Sequence, residues 1–162
     1  MKIRLQLSKP TSEEYLMIGI SSSWKDYQLS YYLNKHFQTL FLKQADIPFY
    51  NRQGLIGTFP FYYFHNDDLR MDYYLFANKN EQSIAIPNYR HFEYFLLFKL
   101  SSYLIPITDI LKELRQIAGI SAALQIPLIT LKNLPEILED IELHLLDISS
   151  SIQRRQTEKW LW

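Results

Sequence analysis

The chain contains no cysteine and only four glycines. Without cysteine it has no disulfide bond, no thiolate nucleophile and no cysteine-based metal site. The few glycines leave little material for a phosphate-binding loop, and the pair Gly54 and Gly57 matches no nucleotide-binding fingerprint. A Gly-x-Ser-x-Gly elbow for a serine nucleophile is also missing. The sequence therefore lacks the parts of several common enzyme classes, and we expect no cofactor and no catalytic site.

Charge of either sign is not in excess, and long apolar runs are missing. The 17 basic residues balance the 17 acidic residues, so there is no basic surplus to attract a nucleic-acid backbone. Residues 1–11 carry Lys2 and Arg4 but no apolar run, which argues against a secretory signal. The best apolar run, residues 92–100, is far shorter than a membrane span. We expect a soluble cytoplasmic protein with neither a membrane nor a nucleic acid as its partner.

Aromatic residues are abundant, with 12 tyrosines, 10 phenylalanines and 3 tryptophans. The abundance fits an aromatic binding surface or the codon usage of an AT-rich genome, and we favour the codon usage. From residue 92 to residue 100 the side chains are expected to point alternately to the two sides of a strand. Phe92, Tyr94, Leu96 and Phe98 lie on one side and Phe95 and Leu97 on the other, so both sides are apolar. A strand of this kind is covered from both sides. The segment is therefore predicted to lie in the middle of a sheet.

A recognisable motif leads into this strand. Ile86 and Pro87 are followed, after four residues, by Phe92, Glu93 and Tyr94. The spacing Ile-Pro-x-x-x-x-apolar-acid-Tyr resembles the signature of the bacterial IPExxxVDY family, to which no activity is assigned. Residues 26–35 and 74–79 also resemble the family pattern. The resemblance implies a bacterial protein of unassigned function and covers roughly the middle of the chain.

The motif departs from the family pattern at one informative position. Asn88 stands where the family has glutamate. An amide neither takes nor gives a proton near neutral pH, so it could not replace a catalytic acid or base. We therefore interpret the motif as structural rather than catalytic.

The first part of the chain predicts two strands and a helix. Residues 2–7 alternate polar and apolar side chains, and residues 15–20 form an apolar run of strand length. A helix is predicted over residues 24–37, with Ser23 as its N-cap. Its two apolar stripes are Leu29, Leu33, Phe37 and Leu40 on one side and Trp24, Tyr27 and Tyr31 on nearly the opposite side. Two stripes indicate a helix between two layers or an aromatic docking face, and we favour the buried arrangement.

The middle of the chain predicts mostly strands. Residues 39–43 predict another strand, and residues 44–57, with Pro48 and two glycines, predict a poorly ordered loop. Residues 58–65 and 69–77 predict a β-hairpin, because aromatic residues alternate on both sides of an Asn-Asp-Asp turn. With the central strand, this hairpin predicts an antiparallel meander.

The last third predicts two helices. The first begins at Thr108, has Gly119 on its outer face and ends at Pro127; its apolar stripe is Ile110, Leu111, Leu114, Ile117, Ala118, Ala122 and Leu124. The second begins at Asn133, with Pro135 in its first turn, and has the stripe Leu134, Ile137, Leu138, Ile141, Leu145 and Ile148. Leu143 and Leu146 lie off this stripe, where a partner or a second copy could cover them.

These elements predict a single α+β domain over residues 1–150, followed by a tail, residues 151–162. Its sheet is expected to be antiparallel-rich and mixed, with about five or six strands. One helix follows the second strand, and two C-terminal helices pack on the sheet.

Few side chains suggest catalysis or metal binding. The four histidines have no metal-binding spacing, and His144 is predicted to be a hydrogen-bonded core residue. His65 shares one turn with three acidic residues, Asp67, Asp68 and Asp72, which could bind a cation, although we favour solvated turn residues. A buried Glu93 could act as a general acid. At the start of its strand, we expect it instead to meet water, Arg90 or a backbone donor.

Surface aromatics are the best candidates for a functional role. Trp160 and Trp162 end the chain, and tryptophan is frequent at interface hot spots. These tryptophans either fold back onto the domain or anchor a partner. Together with Trp24, Tyr27 and Tyr31 they predict a non-enzymatic interaction or adaptor protein that binds a protein partner or forms a homodimer. The alternative is a small-molecule- or RNA-handling protein with a pocket near Glu93 and Tyr94.

Overall fold

The computed structural model describes residues 14–100 and 105–160, with side chains up to residue 150. Nine main elements follow one another along this part of the chain. They are β1 (Tyr15–Ser22), α1 (Asp26–Phe37), β2 (Leu42–Asn51), β3 (Gly54–Asn66), β4 (Met71–Ala77), β5 (Tyr94–Lys99), α2 (Ile107–Arg115), β6 (Ile120–Ile126) and α3 (Leu134–Trp160). The strand predicted for residues 2–7 lies outside the described residues.

The six strands form one sheet in the order β2-β3-β4-β5-β1-β6, and each neighbouring pair is antiparallel. With three helices beside it, this sheet confirms the predicted α+β class. β5 lies between β4 and β1, so the central position predicted for this segment is also confirmed. The hairpin expected from residues 58–77 is the β3–β4 pair, in which Phe61 is opposite Phe76.

Helices cover both faces of the sheet. The α3 side chains Leu138 and Ile141 share a buried cluster with Phe95 and Leu97 of β5 on one face. The α1 and α2 side chains contact the other face, where Leu96 is buried. The two C-terminal helices therefore pack on opposite faces. Because β5 is covered on both sides, its side chains are apolar on both sides.

One side-chain direction was predicted wrongly. Phe92 belongs to the α3-side cluster, whereas Tyr94 belongs to the opposite one. Phe92 precedes β5 in an irregular turn, so the strict alternation of a strand does not extend to it. Its ring lies over Gly19 so closely that a Cβ atom there would be 2.7 Å from the ring.

The segment 44–57, predicted as a loop, is instead most of β2 and the start of β3. Ile47 and Phe49 are buried on one side of β2, and this burial outweighs the turn-forming composition. Pro48 is accommodated because β2 is an edge strand, where a missing N–H costs no inter-strand hydrogen bond. Gly54, at a φ of 118°, completes the tight connection between the two strands.

The long helix predicted from Thr108 to Pro127 is also wrong. α2 ends at Arg115, and β6 follows the turn around Gly119. The backbone hydrogen bonds of β6 go to β1, and this pairing overrides the helical spacing of the apolar residues. Ala123, which is not on the predicted stripe, is buried, whereas Leu124 is 50% exposed.

The last helix was predicted well. The carbonyl of Asn133 accepts the N–H of Ile137, 3.1 Å away, at the start of α3. The predicted stripe from Leu134 to Ile141 is buried, and Leu143 and Leu146 are exposed. α3 continues through the serine run to Trp160, so the first ten residues of the predicted tail, 151–160, are helical.

Side chains form hydrogen bonds with outward-facing backbone groups at both edges of the sheet. At β2, the Asp140 carboxylate accepts the N–H of Tyr50 at 3.1 Å, and His144 Nε2 donates to the carbonyl of Ala45 at 2.7 Å. At β6, Arg115 donates two hydrogen bonds, of 3.1 and 2.9 Å, to the carbonyl of Ala123. Such contacts block the pairing of an edge strand with another chain. The prediction of His144 as a hydrogen-bonded core residue is confirmed.

Candidate interaction site

The outer side of α1 exposes three tyrosines. Tyr27, Tyr31 and Tyr32 are 58%, 59% and 40% exposed, whereas Leu29 and Leu33 are fully buried against the sheet. The predicted burial of α1 between two layers is therefore wrong, because no second layer covers its outer side among the described residues. The aromatic docking face, the other interpretation of the two stripes, agrees with this exposure. We call Trp24, Tyr27, Tyr31 and Tyr32 the α1 aromatic surface.

Ring contacts order part of this surface. The indole of the half-buried Trp24 stacks on Tyr32, with the ring centroids 4.4 Å apart and an interplanar angle of 20°. Tyr31 meets Tyr32 edge to face at 5.1 Å. Pairs with these geometries contribute about 0.5–1.5 kcal/mol each beyond the area that they bury. Sequence reasoning had identified Trp24, Tyr27 and Tyr31 but missed Tyr32, which lies next to the predicted aromatic stripe.

Gly119 makes the position of Trp24 possible. A Cβ atom on this residue would overlap the indole ring. The glycine therefore lies under Trp24 in the turn between α2 and β6, and not on the outer face of a helix as predicted. Ser22 connects the same two segments, because its hydroxyl donates to the carbonyl of Gly119 at 2.7 Å and accepts the N–H of Trp24 at 3.1 Å.

The end of the family-like motif forms hydrogen bonds with the turn between β1 and α1, which carries Trp24. The hydroxyl of Tyr94 donates to the carbonyl of Trp24 at 2.6 Å, and the carboxylate of Glu93 accepts the N–H of Ser22 at 3.1 Å. A backbone donor, one of the expected partners, thus meets Glu93, and Lys79 lies 3.9 Å from its other oxygen. Burial raises the pKa of Tyr94, and the charges of Asp26 and Glu93 raise it further. Tyr94 therefore remains a neutral hydrogen-bond donor.

The start of the motif is organised by the buried side chain of Asn78, which belongs to the second stretch that resembles the family pattern, residues 74–79. The amide nitrogen of Asn78 donates to the carbonyls of Tyr89 and Phe92, at 3.0 Å each, and to that of Ile86 at 3.4 Å. Its amide oxygen accepts the N–H of Ile86 at 2.7 Å. Since every polar atom of the amide is used, Asn78 fixes the loop 86–92. The signal in the sequence is an asparagine directly after an apolar strand.

The other motif residues have different surroundings. Ile86 is buried, and Pro87 begins a single 3-10 turn, Pro87–Tyr89. Asn88, in the position of the family's glutamate, is exposed. These positions agree with a structural motif.

A shallow groove runs beside the α1 aromatic surface. Its volume is about 490 Å³, and its lining residues are Trp24, Tyr32, Lys35, His36, Ile117 and Ala118. His36, one of the lining residues, pairs with Glu113 of α2, with Nε2 and Oε2 2.7 Å apart, and this pair joins α1 to α2. The groove is thus lined by aromatic and aliphatic side chains together with a lysine and a histidine, and its volume is within the size range of ligand pockets.

Charge is unevenly distributed around α1. Its only acid, Asp26, points inward, where it accepts from the hydroxyl of Tyr62 at 2.7 Å and pairs with Lys43 at 3.3 Å. Lys25 and Lys35 are exposed, and their ammonium groups make no ion pair within residues 14–100 and 105–150. The outward side of α1 is therefore basic as well as aromatic.

The remaining candidates form no second site. His65 contacts Asp72 at 2.7 Å and Asp67 at 3.4 Å, while Asp68 is exposed and bonds to neither. No group of three or more possible metal ligands is found in the described part of the chain. Trp160 lies in the last turn of α3, beyond the described side chains, and Trp162 lies outside the described residues. The role of the two tryptophans in binding a partner therefore stays a prediction.

Comparison with known proteins adds no assignment. No protein-family model, curated protein or solved structure matches the chain significantly. The resemblance to the IPExxxVDY family, which depends on residues 86–94, stays a prediction. Of the helices described, none has the length and apolar character needed to cross a membrane.

Proposed function

We propose that this protein is a non-enzymatic interaction protein that binds a protein partner through the α1 aromatic surface. The observation that carries the proposal is the exposure of Tyr27, Tyr31 and Tyr32 on one side of a helix whose other side is buried. Tyrosine and tryptophan are enriched at interface hot spots because each buries a large area at a low entropy cost. The cytoplasm is the proposed location.

The support beneath this surface favours a binding role. Ser22, Glu93, Tyr94 and Gly119 all act on the turn that holds Trp24. A side chain held in place loses less conformational freedom on binding, so a fixed aromatic residue binds more tightly than a mobile one. The family-like motif would then contribute to function indirectly, by fixing the geometry of a binding surface.

The alternative function receives less support. A pocket near Glu93 and Tyr94 would need free side chains, but both are engaged in holding the β1–α1 turn. The groove is bordered instead by Trp24 and Tyr32. A homodimer through the exposed Leu143 and Leu146 of α3 remains a separate prediction.

The test compares two surfaces of the same protein. The variant Tyr27→Ser/Tyr31→Ser removes two exposed rings from α1, and the control Tyr50→Ser/Leu55→Ser removes two exposed apolar side chains from the β2–β3 hairpin. Proteins captured by the wild type and the control, but lost by the α1 variant, are purified and titrated. Loss of hot-spot side chains should weaken binding by about 2 kcal/mol or more, roughly thirtyfold. A purified partner that binds the α1 variant as tightly as the wild type overturns the proposal.

A further inference from the structure

We infer that the partner segment recognised by the α1 aromatic surface is acidic, an inference that rests on the proposed function. The charges of α1 provide the first argument. Lys25 and Lys35 lie near opposite ends of the exposed side, and Asp26 is withdrawn to Tyr62 and Lys43. A ligand along this side therefore meets two positive charges and no carboxylate of α1. Complementary charge favours encounter with an acidic segment and disfavours a basic one.

The tyrosine hydroxyls provide the second argument. Tyr27, Tyr31 and Tyr32 are exposed, and their hydroxyls have no hydrogen-bond partner among residues 14–100 and 105–150. A tyrosine hydroxyl can donate to a carboxylate while its ring contacts an apolar side chain, and hydrogen bonds to charged acceptors are the stronger kind. Three such donors between two lysines suit a segment that alternates acidic and apolar residues.

The groove provides the place for an apolar side chain of that segment. Trp24 and Tyr32 form a stacked aromatic wall, Ile117 adds an apolar contact, and Lys35 is also one of the lining residues. An aromatic or aliphatic side chain in the groove would place its neighbouring carboxylates within reach of Lys35. With 12 residues, α1 is roughly 18 Å long, which matches about five or six residues of extended chain.

An acidic peptide is favoured over the other common polyanion, a nucleic acid. The whole chain has a formal net charge of zero, which gives a long polyanion little general attraction. A short segment that reaches only Lys25 and Lys35 does not depend on such a general attraction.

The experiment measures binding of a fluorescein-labelled peptide of about ten residues, in which one phenylalanine is flanked by glutamates. The comparison probes are the same peptide with glutamine at every glutamate and a single-stranded oligothymidylate of similar length. In fluorescence anisotropy titrations, the acidic peptide should bind at least tenfold more tightly than the glutamine peptide and the oligonucleotide. Raising the salt should weaken this binding, since exposed charges are screened over about 10 Å at 0.1 M ionic strength.

Charge-reversal variants locate the effect. Lys25→Glu/Lys35→Glu should weaken the acidic peptide by roughly tenfold, the size expected from losing two exposed ion pairs and adding repulsion. The control Arg52→Glu/Lys132→Glu changes the net charge equally at exposed positions away from α1 and should have no effect. No measurable binding of the acidic peptide, equal binding of the glutamine peptide, tighter binding of the oligonucleotide or equal loss in both variants each overturns the inference. The proposed function then still stands if the natural partner depends on Tyr27 and Tyr31.

Discussion

The hydroxyl of Tyr94 donates a 2.6 Å hydrogen bond to the backbone carbonyl of Trp24, 70 residues earlier in the chain. It links the last residue of the family-like motif to the first residue of the α1 aromatic surface. Glu93, its neighbour, accepts the N–H of Ser22 in the same turn. Two motif residues that the sequence presents as part of a strand therefore act as the support of a distant turn.

Tyr94→Phe should lower the free energy of unfolding by about 1–2 kcal/mol, because the carbonyl of Trp24 loses its partner in a partly buried place. Trp24 should also become more accessible to a fluorescence quencher. Urea denaturation and iodide quenching measure the two effects. Tyr27→Phe is the control, since the hydroxyl of Tyr27 has no partner among the described residues and its removal should change neither. Wild-type stability and quenching in Tyr94→Phe would contradict the supporting role of this bond.

Asn78→Ala should be the most damaging of the substitutions considered. It leaves the carbonyl of Phe92 and the N–H of Ile86 without their partner and removes one of the two hydrogen bonds to the carbonyl of Tyr89, at a cost of about 3 kcal/mol or more. Thermal and urea denaturation measure the loss. Asn88→Ala, at an exposed position of the same loop, should change stability by less than about 0.5 kcal/mol. Equal effects of the two substitutions would disprove that Asn78 organises the loop.

Gly119→Ala should displace the indole of Trp24, because the added methyl group overlaps the ring. Overpacking of this kind costs about 1–3 kcal/mol. The tryptophan emission should shift, and binding of the partner should weaken together with stability. Ala118→Ser, at the exposed neighbouring position, is the matched control. An unchanged emission spectrum in Gly119→Ala would show that Trp24 does not depend on this glycine.

Arg115→Ala should free the carbonyl of Ala123 on the edge strand β6. An unprotected edge can pair with another chain, so the variant should associate more at high concentration than the wild type. Light scattering over a concentration series measures this. Arg115→Lys keeps a donor at the edge and should be intermediate. The same scattering from wild type and Arg115→Ala would exclude a protective role for Arg115.

Stability should fall at alkaline pH. Burial, with smaller contributions from neighbouring carboxylates, raises the pKa of Tyr15, Tyr62, Tyr63, Tyr74 and Tyr94 from the ordinary value of 10.0. Above about pH 10 the unfolded chain releases protons that the folded chain keeps, so stability is complete below that pH and declines above it. Each such tyrosine contributes up to about 1.4 kcal/mol per pH unit. Urea denaturation between roughly pH 8 and 11 measures the slope, and a flat profile would contradict this prediction.

Structural features that depend on residues close together in the sequence could be predicted from the sequence alone. The two-sided apolar pattern of residues 92–100 placed β5 inside the sheet, and the alternation after residue 58 gave the β3–β4 hairpin. The stripe beginning at Leu134 gave the buried side of α3. Local geometry decides each of these features, because the spacing of apolar residues in a strand or helix determines which side can be buried.

Features that depend on distant residues were decided only by the tertiary structure. Residues 44–57 have the composition of a loop, yet Ile47 and Phe49 are buried because α3 covers that face. Residues 120–126 continue a helical pattern, yet they form β6 because β1 offers hydrogen bonds along its free side. The aromatic stripe on the outer side of α1 fits a covered helix as well as an exposed one. Only the packing of the folded chain shows that this side is exposed. In each case the deciding partner lies far away in the sequence, where spacing carries no information about it.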